Sequence, residues 1–163
     1  MPADLAPAAP VTRRADAERL WMLGGAFTIL ADAASTDGRV GVVEQEIPAG
    51  VATPLHRHPE AETFIVLAGG IRVLLDGAVH EAGAGDVVHV PSEAVHAFAT
   101  GPDGVRMIGL SSPAGHEAFF RDGGVPAAGP GLPPAGPPDM DRLMAAAAAN
   151  RVEILGPPPA ELA

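Results

Sequence analysis

The sequence predicts an all-β domain with short C-terminal helices. Three observations carry this. Apolar and polar residues alternate over short runs between residues 27 and 110. Clusters of Gly, Pro and Asp separate those runs at eight-to-twelve-residue spacing, the pattern of a sandwich or barrel. Helix-type composition is confined to the C-terminal part, where an alanine run follows Leu143. Closing such a sheet on itself would limit exposed edges.

The elements follow in chain order. Residues 1–17 are Ala/Pro-rich and polar, so 1–18 are expected to form a flexible arm. Leu20 to Leu30 is apolar and interrupted by Gly24-Gly25, with Phe27, Ile29 and Ala31 alternating as a strand. Thr36-Asp37-Gly38 is a turn, and Val40–Ile47 alternates again up to the break at Pro48-Ala49-Gly50. Thr63–Ala68 reads as a strand ended by Gly69-Gly70, and Ile71–Leu75 as another. Asp76-Gly77 predicts a two-residue hairpin, because both residues tolerate the positive φ angles of a type I′ turn. Strands are then expected over 78–81, 87–90, 95–100 and 105–110.

Beyond Leu110 the character changes. Ser112-Pro113 predicts the start of a short helix over 114–121, with Ser112 as its cap. Residues 123–138 hold six Pro and five Gly and read as loop. Asp139 predicts the cap of a helix over 140–150. The expected organisation is therefore an arm (1–18), a β-barrel (19–112) and a helical, Pro/Gly-rich extension (113–163) packed outside the barrel or against a second subunit.

Composition removes several functional classes. At 163 residues one domain is the default, and a hydrophobic fraction of 47% supports a packed core. The absence of cysteine removes disulfides, thiolate metal sites and cysteine nucleophiles, and fits a cytoplasmic location. A net charge of −10 with no basic cluster argues against a nucleic-acid partner. No apolar run reaches spanning length, so no membrane partner is expected, and the first twenty residues carry Asp4, Asp16 and Glu18 in place of a signal peptide's apolar stretch.

The chemistry concentrates in two segments. One runs from Gly50 through His56, His58 and Glu62 to Gly69, and the other from Gly85 through Pro91 to His96. His56 and His58 are two apart, so on one strand both project from the same face. Glu62 and His96 would come from neighbouring strands. Three imidazoles and one carboxylate suit one divalent transition metal, and too few oxygens are present for a calcium cage.

These segments resemble the two motifs of the cupin superfamily. The first, Gly-x5-His-x-His-x3-4-Glu-x6-Gly, is met at Gly50, His56, His58, Glu62 and Gly69. The second is met at Gly85, Pro91 and His96, with Glu93 in place of its Gly and Thr100 in place of its Asn. Glu93 bears on the turn before His96, since Gly is usual where φ is positive. A looser likeness, through Trp21-Met22-Leu23-Gly24-Gly25, Thr36-Asp37-Gly38 and the segment Arg151–Gly156, extends to small bacterial cupins of the quercetin 2,3-dioxygenase-like type.

The resemblance implies a double-stranded β-helix, the jelly-roll barrel of cupins, and a metal held by His56, His58, Glu62 and His96. It implies Fe, Mn, Ni, Co, Cu or Zn as the ion and Glu62 as a catalytic base. It selects Glu62 over Glu60, which at a turn beside Pro59 is expected to be solvated. Phe64, Val66, Phe98 and Met107 are expected to line a substrate pocket, and plain barrel core is the competing reading. His89 is expected to face outward, His80 to lie off the site, and His116 to be solvated. The leading functional expectation is a dioxygenase, an oxidoreductase acting on a small enolisable or aromatic substrate. An isomerase, hydrolase or decarboxylase, and a non-catalytic binding module, stand as alternatives. A homodimer is expected, with a partner shielding an edge strand such as Val40–Ile47.

Overall fold

The computed structural model describes residues 10–163. The all-β expectation holds: among the described residues ten strands join in one sheet, every ladder is antiparallel, and two short α-helices accompany it. Of the expected arm, residues 1–9 lie outside the described residues. Within residues 10–18, Glu18 opens the first strand and Arg14 reaches the sheet. Arg14 pairs there with Glu44, and with Glu46 at 2.6 Å.

Strands β1 (Glu18–Met22) and β2 (Gly25–Ala31) form a hairpin through Leu23 and Gly24, at φ of 50° and 78°. Strand β3 (Gly41–Ile47) follows, then β4 (Leu55–Arg57), β5 (Ala61–Leu75), β6 (Ala78–Gly83), β7 (Val87–Val90) and β8 (His96–Ser112). Asp76 and Gly77 turn β5 into β6 at φ of 52° and 76°, the type I′ turn expected of that pair. Strand β3 lies between β2 and β8, paired on both sides. It is therefore no free edge for a partner to shield, which corrects that part of the dimer expectation.

Gly69-Gly70 does not end a strand. Strand β5 runs through it, and its ladder with β8 shifts register between Gly69 and Ile71. Gly69 has a φ of 69°, and a Cβ there would collide with the Gly104 carbonyl of the facing strand. The glycine thus marks a bulge at which two long strands stay in contact, which reads in sequence like a terminator.

The segment beyond Ser112 is also more than an external extension. Helix α1 (Glu117–Gly123) starts later than expected and takes no side-chain cap, while Ser112 closes β8. Strand β9 (Val125–Pro126) pairs with β1. Helix α2 (Met140–Ala149) begins where Asp139 predicts, with the Asp139 carboxylate accepting from the Arg142 amide at 3.0 Å. Strand β10 (Glu153–Gly156) pairs with β4. Leu143, Ala146, Ala147 and Val152 are buried with the barrel residues Phe27, Phe64 and Phe98 in one core. No helix among the described residues is long and apolar enough to cross a membrane.

Candidate metal centre

The ladders bring the predicted ligands to one end of the barrel. His56 lies in β4 and stands directly opposite His96, the first residue of β8. His58 follows β4 by one residue, and its carbonyl accepts the Glu93 amide at 3.0 Å. Glu93 makes this bond with a φ of 63°, so the turn keeps the left-handed conformation without the usual glycine. Glu62 is the second residue of β5. His58, Glu62 and His96 are all buried.

The ring nitrogens of His56, His58 and His96 converge within 4.8 Å of one another. Glu62 Oε2 lies 3.3 Å from His58 Nε2 and 3.6 Å from His96 Nε2. Adjacent ligand atoms around an ion with bonds near 2.1 Å are about 3 Å apart, so the cluster sits close to coordination spacing. His56 Nδ1 and His96 Nδ1 each lie 2.8 Å from a backbone carbonyl oxygen, of Pro54 and Ala94. Donation from Nδ1 to those carbonyls fixes the tautomer and leaves Nε2 as the free lone pair. His96 Nε2 is buried with no hydrogen-bond partner. Such an atom is costly unless a cation takes its lone pair, so the donor set fits the metal.

Charge is tightly coupled here. Burial pushes the His56 imidazole down to about 3, with His96 adding to the effect. Burial also works against a charged His58, but Glu60 and Glu62 outweigh it and bring this imidazole up to about 9. Burial alone would raise the Glu62 carboxyl, yet His58 and His96 hold it well below the usual carboxylate range.

Two expectations are corrected. Glu60 is buried, not solvated: its Oε2 lies 3.5 Å from His58 Nδ1, and Arg151 reaches its Oε1 at 3.4 Å. His116 is buried too, with Nε2 3.8 Å from Glu62 Oε1. Both misreadings share a cause. The loop leading into α1 folds back over the barrel mouth, a long-range contact that local sequence does not encode. The available signal was Phe119-Phe120 beside His116, an apolar pair that a solvated helix would not need. His80 and His89 are exposed, and His89 Nδ1 lies 3.0 Å from the Thr63 hydroxyl.

A cavity of about 70 Å³ opens onto His56, Glu62, His96 and His116. Phe64 and Phe98 line it. Val66 and Met107 are buried cross-strand partners and are not among its lining. Val66 lies four residues along β5 from Glu62, about 13 Å at the usual strand rise, which carries it past the site. The rest of the wall includes Phe27, Phe119, Phe120 and Leu143. Gln45 is the one amide side chain in this wall.

Comparison with known proteins agrees with this architecture. The family model for the cupin domain (Cupin_2) matches residues 43–110. A crystal structure of an RmlC-like cupin from Shewanella frigidimarina superposes with a TM-score of 0.60 at 22% identity, covering 68% of this chain and 96% of that one. Oxalate decarboxylase from Bacillus subtilis gives 0.57 at 20% identity, with 63% of this chain spanning only 28% of the decarboxylase. The polyketide cyclase RemF from Streptomyces resistomycificus gives 0.55 at 23%, covering 64% of this chain and 79% of the cyclase. Comparison by sequence with curated proteins finds no match. At these identities the structural likeness bears on fold alone, and it agrees with the sequence match: residues 43–110 resemble a cupin domain, and the chain has the jelly-roll fold of cupins.

Proposed function

We propose that the protein is a metal-dependent enzyme of the dioxygenase type, acting on a small enolisable or aromatic substrate. One observation carries the reading: three imidazoles and the Glu62 carboxylate converge at the end of a buried apolar cavity. His56, His58, Glu62 and His96 would hold one divalent transition ion. A bound ion of this kind supplies Lewis acidity toward an oxygen of the substrate and activates dioxygen.

The chain's own residues do the rest. With neutral imidazoles, Glu62 leaves the site one negative charge against a 2+ ion, so the centre favours an enolate, phenolate or carboxylate. The phenylalanine wall excludes water and strengthens that attraction. Glu62 Oε1 is the carboxylate oxygen turned away from His58 and His96, and in this reading it takes the substrate hydroxyl proton. Size supports a compact substrate. A cavity of about 70 Å³ is well below the roughly 300–1,000 Å³ typical of sites for drug-sized ligands, so a three-ring flavonol fits it poorly.

The test is an oxygen-electrode screen of protein loaded with Fe(II), Mn(II), Ni(II) or Co(II), against small enols, catechols and phenols. Substrate-dependent oxygen uptake is expected. Turnover that persists unchanged under strict anaerobiosis would replace the dioxygenase reading with an isomerase, hydrolase or decarboxylase.

A further inference from the structure

His116 has no place in the cupin motif, yet it lies beside two members of the ligand cluster, His58 and Glu62. Four side chains form a closed ring. Glu60 Oε2 lies 3.5 Å from His58 Nδ1 and 4.0 Å from His116 Nδ1. On the opposite side, Glu62 faces the same two rings, with Oε2 3.3 Å from His58 Nε2 and Oε1 3.8 Å from His116 Nε2. The two imidazoles stack between the carboxylates with centroids 4.2 Å apart and planes 29° from parallel. His116 is therefore presented as His58 is, with Nδ1 toward a carboxylate behind it and Nε2 toward the oxygens of Glu62. One carboxylate oriented on the Nδ1 side is the arrangement that aims an imidazole Nε2 at a metal.

Three further observations support a built position. His116, His58 and Glu62 offer ligand atoms that all lie within 4.8 Å of one another. His116 Nδ1 and Glu60 Oε2 are buried without hydrogen-bond partners and face each other at 4.0 Å, on the side of the ring away from Glu62, where they can orient Nε2. The segment is also held rigidly. The buried Glu117 accepts the Ala33 amide at 2.8 Å and the Gly115 amide at 2.8 Å, tying the start of α1 to the β2–β3 connection. Gly41 leaves the space that Glu117 occupies.

We propose that His116 is an additional protein ligand of the metal, joining His58 and Glu62, so that four imidazoles and one carboxylate hold the ion. The inference rests on the proposed metal centre. It gives the segment beyond the barrel a share in the coordination shell, and it makes the metal a clamp between α1 and the sheet. One position of an octahedral ion then remains for substrate or water.

The test is proton NMR of the full chain loaded with Co(II), in which each coordinated imidazole contributes one strongly shifted, solvent-exchangeable N–H signal. Four such signals are expected in the unaltered protein and three in His116→Gln, with metal affinity in that variant down by about tenfold or more in a competition titration. His80→Gln, at an exposed position, should keep all four signals. Three signals in the unaltered chain would overturn the role of His116 and leave the metal centre standing, and this count needs no folded variant. Failure of the unaltered chain to take up Co(II) would overturn the metal centre itself, and the inference with it.

Discussion

His56 and His96 face each other across the β4–β8 ladder, with ring centroids 4.3 Å apart and each Nδ1 2.8 Å from a backbone carbonyl two residues earlier. Strand pairing and local backbone together aim two Nε2 lone pairs at one point. A site built this way is preorganised, because neither ring can turn without losing its carbonyl partner. His56→Ala or His96→Ala should remove most bound metal and lower the melting temperature of the metal-loaded protein, since metal bound only to the folded state stabilises it. Differential scanning fluorimetry with and without a chelator reads this directly. A chelator-induced shift equal to that of the unaltered chain would contradict it.

The two carboxylates predict separable effects. Glu62→Gln keeps the shape of the side chain but removes its charge and basicity, so metal affinity should fall and oxygen uptake should fall further. Glu60→Gln removes the charge behind His58 and His116, and should cost about 10–100-fold in metal affinity. Isothermal titration on both variants orders the losses. Loss of metal in Glu60→Gln with full retention in Glu62→Gln would show that the ligand is Glu60.

Proton linkage gives opposite trends for the metal-free and metal-loaded states. The carboxylates hold folded His58 at about 9, above the usual imidazole value, so its contribution to stability is complete below about pH 6.5 and fades as pH rises through 9. Metal needs the neutral ring, so metal affinity should climb by about tenfold per pH unit toward 9 and level off above it. Competition titrations between pH 6 and 9 test the slope. A flat profile would mean that His58 is already neutral before metal binds.

How much of this was legible in the sequence follows from the range of the interactions involved. Asp76-Gly77 and Asp139 were readable because a turn and a helix cap are set by one or two residues. His56, His58, Glu62 and His96 were readable because their spacing matches a known pair of motifs. The bulge at Gly69 was not, since its close approach to Gly104 needs both strands in place. The burial of Glu60 and His116 was not, since it depends on α1 folding over the barrel mouth. The Pro-rich stretch likewise hid β9, whose only partner is β1 at the other end of the chain.

That closure predicts a packed C-terminal segment. Leu143 is 3% exposed and lines the cavity, whereas Met144 is 48% exposed. Leu143→Ala should cost about 2–5 kcal/mol of stability, and Met144→Ala about 0.5 kcal/mol or less. Urea denaturation of the two variants distinguishes a segment integral to the core from one lying loosely outside it, for which both losses would be small.

The central claim is that this cluster holds a metal. The most direct measurement is elemental analysis of protein purified without chelators, alongside a His56→Ala/His58→Ala double variant. About one divalent transition ion per chain is expected in the unaltered protein and little in the double variant. Equal metal content in the two, or none in the unaltered protein after incubation with the candidate ions, would contradict it.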